Sequence, residues 1–348
     1  MIDHLHSIWN IETKHIFDDV FTGYESVYEE LDSHTVETYN ADPAGTIDSV
    51  FDIYRAIGLT PITYFTEAGL TARVREVQKL SYNGVKNNRI NLGNNRGQEI
   101  SRFVFPNMMT AEPKGRGSNS LKDRFLDDAK LKRAIRICFE FREGNHLVYP
   151  TAMRRALELV TGENVQNFKN QNARAIAEHL CPVMFGNIYD YSAGYGGRLL
   201  GITASNMRYN YTGIDPNTET IKYLNYLNTL VDNPGAIVQN VSEDYQPEDI
   251  DLAFSSPPYF NLEKYSDEDT QCMVRYRTLD EWFSGYVEPT MENIYRGLNK
   301  QGLFATNIAD YKSYDRKEPY EVCERWIQTA EKVGFRFNGM IKMMLNTR

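Results

Sequence analysis

Short apolar runs that alternate with helical stretches constrain this 348-residue sequence more than any other feature. A strand that leads through a helix to another strand is a βα unit, and successive units build a parallel sheet. The alternation begins at Ile188, so the second half of the chain predicts an α/β fold. Strands are expected at residues 188–192, 211–214, 236–239, 252–255, 302–308 and 335–342, and helices at 198–206, 219–231, 279–298 and 319–333.

The first half of the chain has a different pattern. Apolar residues recur three and four positions apart in residues 17–31, 47–57, 127–142 and 151–161, which predicts helices. Polar stretches rich in Asn, Gly and Arg separate some of these segments and indicate loops. We therefore expect a mainly α-helical domain at residues 1–165 and an α/β domain at 166–348.

Charge divides the first domain further. Residues 1–70 hold 2 basic and 13 acidic residues, whereas residues 71–155 hold 18 basic and 8 acidic ones. Basic side chains on flexible polar loops are typical of a surface that binds a polyanion. Alternatively, they form an ordinary solvated face that pairs with the acidic first 70 residues. The candidates for phosphate contact are Arg89, Arg96, Lys114, Arg116, Lys122 and Arg124.

Several classes of protein are disfavoured by what the sequence lacks. It has no run of 18 apolar residues and no basic-then-apolar leader, so we expect a cytoplasmic protein that does not enter a membrane. Its four cysteines lie more than 40 residues apart, and its six histidines form no known metal motif. We therefore expect no metal site.

Two motifs near the start of the α/β domain predict a nucleotide-type cofactor. Asp190 to Gly197 form a strand end followed by the glycines of a tight turn into a helix. Asp215 ends the next strand, 19 residues after Gly196, and an acid at this spacing typically binds ribose hydroxyls. A helix cap is the other role open to Asp215. After the third strand, Glu243 and Asp244 offer an acceptor for an adenine amino group or belong to a solvated loop.

The segment after the fourth strand, Ser256-Pro257-Pro258-Tyr259, is the most specific feature of the sequence. The two prolines fix φ and hold the preceding residue extended, so that its carbonyl can project into a cleft. Together with the Ser256 side chain, this segment supplies acceptors for a neutral amino group. The Tyr259 ring offers a face on which an extruded base can stack.

This order of motifs resembles the amino-group branch of the DNA methyltransferases, which methylate cytosine N4 or adenine N6. The resemblance covers about residues 165–346 and implies a Rossmann-like fold that binds S-adenosylmethionine (AdoMet). It also implies that Asn167 and its neighbours Phe168 and Lys169 help to hold the cofactor. By the same resemblance, Asp190, Gly194 and Gly196 hold the methionine part, Asp215 the ribose and Asp244 the adenine. Ser192 belongs to the same cofactor site, and Ser256, Pro257, Pro258 and Tyr259 are catalytic.

Two departures and several alternatives accompany the resemblance. Ser256 stands where the family often has Asp or Asn, and Arg198 stands where a small residue is common. Related Pro-Pro-Tyr signatures also occur in methyltransferases of RNA and of protein amide nitrogens, and a non-catalytic subunit that binds nucleic acid is a further possibility. We expect DNA to be the partner; a homodimer and an accessory subunit both stay open.

Overall fold

The computed structural model describes residues 29–58, 65, 67–90, 95–113, 120–141, 147–162, 164–312 and 317–343. The helix predicted at 17–31 lies almost entirely outside these residues, as do Lys114 and Arg116. The described chain forms two compact units, one from residues 29–70, 102–113 and 120–165 and one from 71–101 and 166–343. The structure therefore groups residues 71–101 with the α/β unit, although the sequence suggested a single division after residue 165.

The first unit is mainly helical, as predicted. Its core is built from one face of each helix and includes Val50, Leu131, Ile135 and Leu157, all fully buried. Within the described residues up to 161, the α-helices include Val36–Ala41 (α1), Pro43–Ile57 (α2), Glu67–Gln78 (α3), Gln98–Val104 (α4), Leu121–Leu126 (α5), Asp128–Glu140 (α6) and Pro150–Thr161 (α7). Most of α3 and the start of α4 belong to the second unit.

Arg124 belongs to this core and is not available to a phosphate. Its side chain is fully buried, and its guanidinium donates to the Asn164 side chain at 2.8 Å and to the Leu157 carbonyl at 3.3 Å. The sequence placed Arg124 on an exposed loop, but the Ser120 cap starts α5 one turn earlier and turns the arginine inward.

The strands of the described part of the chain are Arg89–Ile90 (β1), Glu112–Pro113 (β2), Asn187–Asp190 (β3), Asn210–Asp215 (β4), Ile237–Gln239 (β5), Ile250–Ser255 (β6), Glu263–Lys264 (β7), Leu298–Thr306 (β8) and Lys342–Met343 (β9). Five of them form a parallel sheet in the second unit, in the order β5-β4-β3-β6-β8. This order reverses between β3 and β6, as in Rossmann-like folds, so the predicted α/β class is confirmed.

The helices of the second unit lie between these strands. Among the described residues they are Asn170–Leu180 (α8), Gly197–Thr203 (α9), Thr218–Leu230 (α10), Cys272–Arg275 (α11), Leu279–Trp282 (α12), Glu288–Gly297 (α13) and Val322–Val333 (α14), with a π-helical turn at Phe283–Val287. α8 packs closely on α9, since a Cβ on Gly201 would lie 2.0 Å from the Asn170 carbonyl oxygen. Among the described helices, none is long and apolar enough to cross a membrane.

The prediction of a strand at residues 335–342 is wrong. The chain runs irregularly through most of this stretch, and only Lys342–Met343 form a strand, which pairs in parallel with Arg89–Ile90. Gly339 has φ of 137°, which takes the backbone out of the β region. Phe335 packs its ring on Tyr295 and Phe304 instead of continuing the sheet.

Candidate functional site

A cavity of about 320 Å³ opens at the carboxyl edge of the five-stranded sheet. Ligands of open α/β sheets sit at this edge, near the point where the strand order reverses. The cavity wall comes entirely from the second unit. It includes Phe168, Tyr191, Ser192, Gly194, Tyr195, Arg198, Asp215, Asn217, Val241, Ser242, Glu243, Ser256, Pro257, Pro258, Tyr259, Glu263, Lys264, Tyr265, Cys272, Tyr286 and Asn307.

The glycine loop and Asp215 meet as the sequence predicted. Gly194 and Gly196 have φ of 57° and 70°, a conformation that strongly favours glycine. The Gly194 N–H donates to Asp215 Oδ2 at 2.9 Å, and the Asn217 N–H donates to Oδ1 at 3.0 Å. Burial raises the pKa of Asp215 to about 6. Each carboxylate oxygen keeps a second lone pair with which it can accept from a ligand hydroxyl.

Asp190 lies behind the loop and does not line the cavity. Its fully buried carboxylate accepts from Arg198 Nε at 2.7 Å and from Tyr211 OH and Ser255 Oγ at 2.6 Å each. These partners come from α9, β4 and β6, so Asp190 ties together the elements that form the site. We therefore assign it a positioning role, not the direct contact with methionine that the resemblance implied.

Ser192 lines the cavity and meets a residue that the sequence did not point to. Its hydroxyl donates to the Tyr191 carbonyl at 2.7 Å and lies 3.1 Å from Tyr286 OH. Tyr286 sits in the π-helical turn, and such turns occur often at functional sites. The sequence predicted a regular helix here, which gives no reason to direct Tyr286 toward the sheet edge.

Of the acidic pair after β5, Glu243 lines the cavity and the expected Asp244 does not. Asp244 has a side chain 62% exposed and does not line the cavity, whereas the Glu243 side chain is 6% exposed and does. Glu243 Oε1 accepts from Arg275 Nη1 at 2.8 Å and from Tyr276 OH at 2.6 Å. Burial raises the pKa of Glu243. The turn after β5 decides which member of the acidic pair faces inward, and it directs Glu243, not the expected Asp244, toward the cavity.

In the segment before α8, too, only some of the expected residues line the cavity. Phe168 lines the cavity, and its ring packs edge-on against Phe254 with centroids 5.7 Å apart. Lys169 precedes the first turn of α8 and does not line the cavity. Asn167 Nδ2 donates to the Tyr195 carbonyl at 3.0 Å, which fixes this segment against the glycine loop. Gly196 also stays outside the wall and serves the turn into α9.

The Ser256-Pro257-Pro258-Tyr259 segment lines the other side of the same cavity. Ser256 Oγ accepts from Asn307 Nδ2 at 2.9 Å, and the Asn307 N–H donates to the Ser255 carbonyl at 2.9 Å. Asn307 follows β8, the neighbour of β6, and its side chain also lines the cavity. The sequence did not point to Asn307, because the strand expected at residues 302–308 included it, whereas β8 ends at Thr306 and leaves Asn307 at the edge of the sheet.

Contacts outside the cavity fix the orientation of the Tyr259 ring. Its hydroxyl accepts from the Ala309 N–H at 3.0 Å, and its ring meets the Tyr311 ring edge-on with centroids 4.9 Å apart. Burial raises the pKa of Tyr259 to about 12, so the phenol stays neutral at physiological pH. A neutral ring fixed on the cavity wall is a suitable platform for a flat ligand.

Over part of its length the chain is similar to solved methyltransferase structures. A TehB-like SAM-dependent methyltransferase from Corynebacterium glutamicum is 18% identical with a TM-score of 0.32, over 52% of this chain and 79% of that one. Precorrin-6y C5,15-methyltransferase from Geobacter metallireducens is 12% identical with a TM-score of 0.32, over 47% and 70%. Aeropyrum pernix fibrillarin, in complex with natively bound S-adenosyl-L-methionine, is 16% identical with a TM-score of 0.33, over 48% and 66%.

No protein-family model and no curated protein matches the chain. At TM-scores near 0.3, the structural similarities carry no conclusion about activity or substrate.

Proposed function

We propose that the chain is an AdoMet-dependent methyltransferase that acts on an exocyclic amino nitrogen of a DNA base, cytosine N4 or adenine N6. One observation carries the proposal: a single cavity joins the Gly194 loop and Asp215 to the Ser256–Tyr259 segment. The first two are suited to an adenosine-containing cofactor and the last to an amino group. A cavity lined by both can hold a donor and an acceptor side by side.

The wall of the cavity fits AdoMet better than a dinucleotide. A pyrophosphate would bind at the N-terminus of the helix after the glycine loop. Here the Phe168 carbonyl oxygen lies 2.1 Å from the position that a Cβ on Gly197 would take, so an acceptor atom crowds the start of α9. The cavity wall carries three carboxylates, Asp215, Glu243 and Glu263, against two cationic side chains, Arg198 and Lys264, and this excess of negative charge disfavours a polyanion.

The cofactor would be held through its adenosine by the two strand ends nearest the loop. Asp215 would accept hydrogen bonds from the ribose hydroxyls. Val241 and Ser242 would contact the adenine, and Glu243 would accept from its amino group. When bound, AdoMet supplies an activated methyl group, so the protein needs neither a metal nor a covalent intermediate for the transfer. The residues around the acceptor contribute mainly by positioning it.

The target amino group needs acceptors, because its N–H bonds must point away from the lone pair that attacks. Ser256 Oγ keeps a lone pair beyond the one that accepts from Asn307. The φ angles fixed by Pro257 and Pro258 restrict the backbone carbonyls of the segment, which offer a second acceptor. Tyr259 would stack on the base, which must leave its duplex to enter the cavity.

DNA is the proposed target because of the family resemblance and the basic residues outside the cavity. Arg89 and Arg96 are exposed and belong to the same unit as the cavity, and Lys122 is partly exposed. These three residues remain candidates for phosphate contact, whereas Arg124 is buried and is no longer a candidate.

The test is to incubate the protein with AdoMet and duplex DNA, digest the DNA and identify its nucleosides by mass spectrometry. N4-methylcytosine or N6-methyladenine is the expected product, and Ser256→Ala should reduce it strongly. Structured RNA and a glutamine-containing peptide are offered in parallel. Methyl transfer only to RNA or peptide would replace DNA as the substrate. Absence of AdoMet binding in calorimetry would instead favour a non-catalytic subunit.

A further inference from the structure

Two charged side chains in the cavity wall have unused hydrogen-bonding capacity. The first is Glu263, four residues after Tyr259. Its Oε2 accepts from Tyr265 OH, and among the described residues no cation pairs with it. Burial raises the pKa of Glu263. A carboxylate withdrawn from water without a cationic partner is unfavourable, so this wall is suited to a ligand that brings a positive charge.

The second side chain is Arg198, which directly follows the glycine loop and belongs to α9. It is 5% exposed; Nε donates to Asp190 at 2.7 Å and Nη2 donates to the Ser192 carbonyl. Its Nη1 has no hydrogen-bond partner among the described residues, and the side chain lines the cavity. A buried guanidinium held on one edge by a carboxylate keeps its other edge for a second acceptor, and a carboxylate suits it best.

We propose that Glu263 binds the α-ammonium group of AdoMet and that Arg198 binds its α-carboxylate. The inference rests on the proposed function and adds the recognition of the amino-acid end of the cofactor. An α-amino acid group is a zwitterion. Besides Asp215, which is proposed to bind the ribose, the cavity offers the Glu263 carboxylate without a paired cation among the described residues and the Arg198 guanidinium with an unused edge. This role also explains Asp190, which would act on the cofactor indirectly by orienting Arg198.

The ammonium group is a better partner for Glu263 than the other cation of AdoMet, the sulfonium. The sulfonium charge disappears as the methyl group leaves. A carboxylate beside it would therefore stabilise the reactant more than the transition state and slow the reaction. The ammonium charge is unchanged by the transfer, so pairing with it strengthens binding without that cost.

Titration calorimetry with three ligands tests the assignment on the purified full-length protein. AdoMet carries both cations, S-adenosylhomocysteine carries only the ammonium, and methylthioadenosine carries neither. In Glu263→Gln, binding of AdoMet and of S-adenosylhomocysteine should weaken by about tenfold or more, since a hydrogen bond between charged groups is lost. Binding of methylthioadenosine should change by less than about twofold. Asp267→Asn, 89% exposed in the same segment, is the matched control.

Each other outcome has a definite meaning. If Glu263→Gln lowers the affinity for AdoMet alone, Glu263 pairs with the sulfonium. If it lowers the affinity for all three ligands equally, Glu263 supports the adenosine site or the fold. Unchanged affinities would show that it does not contact the cofactor. Each of these results overturns the assignment. If the wild-type protein binds none of the three ligands, the proposed function itself fails.

Arg198 is tested by removing the partner group from the ligand, because a large substitution would leave Asp190 unpaired in the core. Decarboxylated AdoMet should bind the wild-type protein about tenfold or more weakly than AdoMet does. In Arg198→Lys, which keeps the charge but loses the planar fork, this difference should shrink. An unchanged difference would exclude Arg198 as the carboxylate partner. Thermal unfolding of each variant shows whether the fold is retained.

Discussion

Asp215 gives the sharpest prediction, because its ionisation should control binding of the cofactor within an accessible pH range. Both of its oxygens already accept backbone N–H bonds, and only the carboxylate form can accept from two ribose hydroxyls as well. Burial raises the pKa of Asp215 to about 6. Protonation below that pH removes an acceptor, so affinity for an adenosine ligand should fall as the pH falls.

The size of the effect follows from the pKa. At pH 8 almost all of the free protein has an ionised Asp215, whereas at pH 5 only about one molecule in eleven does. If the protonated form does not bind, the apparent affinity at pH 5 should be about tenfold lower, or about 1.4 kcal/mol. Binding in turn stabilises the carboxylate, so the pKa of Asp215 should be lower in the complex than in the free protein.

Methylthioadenosine is the right ligand for this assay because it has the ribose but lacks the amino-acid end that Glu263 would bind. Its affinity is measured by calorimetry between pH 5 and 8. In Asp215→Asn, affinity at pH 8 should be lower by about tenfold or more, and most of the pH dependence should disappear. Asp244→Asn, outside the cavity, should behave as wild type. A tenfold fall that persists in Asp215→Asn would refute the reasoning and point to Glu243.

Variants at three further positions, Tyr259, Ser256 and Glu243, test the rest of the site. Tyr259→Ala should lower kcat/KM by about 5- to 150-fold, because the stacking platform for the base is lost. Tyr259→Phe should keep most of the activity, although it loses the hydrogen bond from the Ala309 N–H. Steady-state kinetics of the two variants measure this difference. Ser256→Ala should lower kcat by a similar factor while leaving the calorimetric Kd for S-adenosylhomocysteine unchanged, because the serine faces the target. Glu243→Gln should weaken binding of methylthioadenosine at pH 8 by about threefold or more in the same titration, whereas Asp244→Asn should not.

The sequence was informative about this fold because strand ends of a parallel sheet share one edge. Once the alternating pattern located β3, β4 and β6, the residues after each strand had to lie near one another. Gly194, Asp215 and Ser256 meet at the cavity for this reason. No knowledge of side-chain direction was needed to place them together.

Side-chain direction was the part that could not be predicted. Within the acidic pair, Glu243 faces the cavity and Asp244 faces solvent, and two adjacent residues in a turn give no periodic signal to distinguish them. Tyr286 depends on a π-helical turn, which the sequence presents as ordinary helix.

The place of residues 71–101 in the α/β unit could not be predicted either. It depends on contacts between residues far apart in sequence, such as the hydrogen bond from Gln98 to the Phe168 carbonyl.

Asp190 shows how a residue can belong to a motif and still not touch the ligand. At the end of β3 it occupies the position from which a carboxylate could reach the cavity. Arg198 stands where the family that the sequence resembles often has a small residue, and it takes up that carboxylate together with Tyr211 and Ser255. The unusual residue at position 198 and the buried ion pair between Asp190 and Arg198 are therefore one structural feature. Because Asp190 is paired with Arg198, the anion for the ammonium group of the proposed cofactor has to come from another segment. Among the cavity carboxylates, Glu263 is the one that has no paired cation within the described part of the chain and is not the proposed ribose partner.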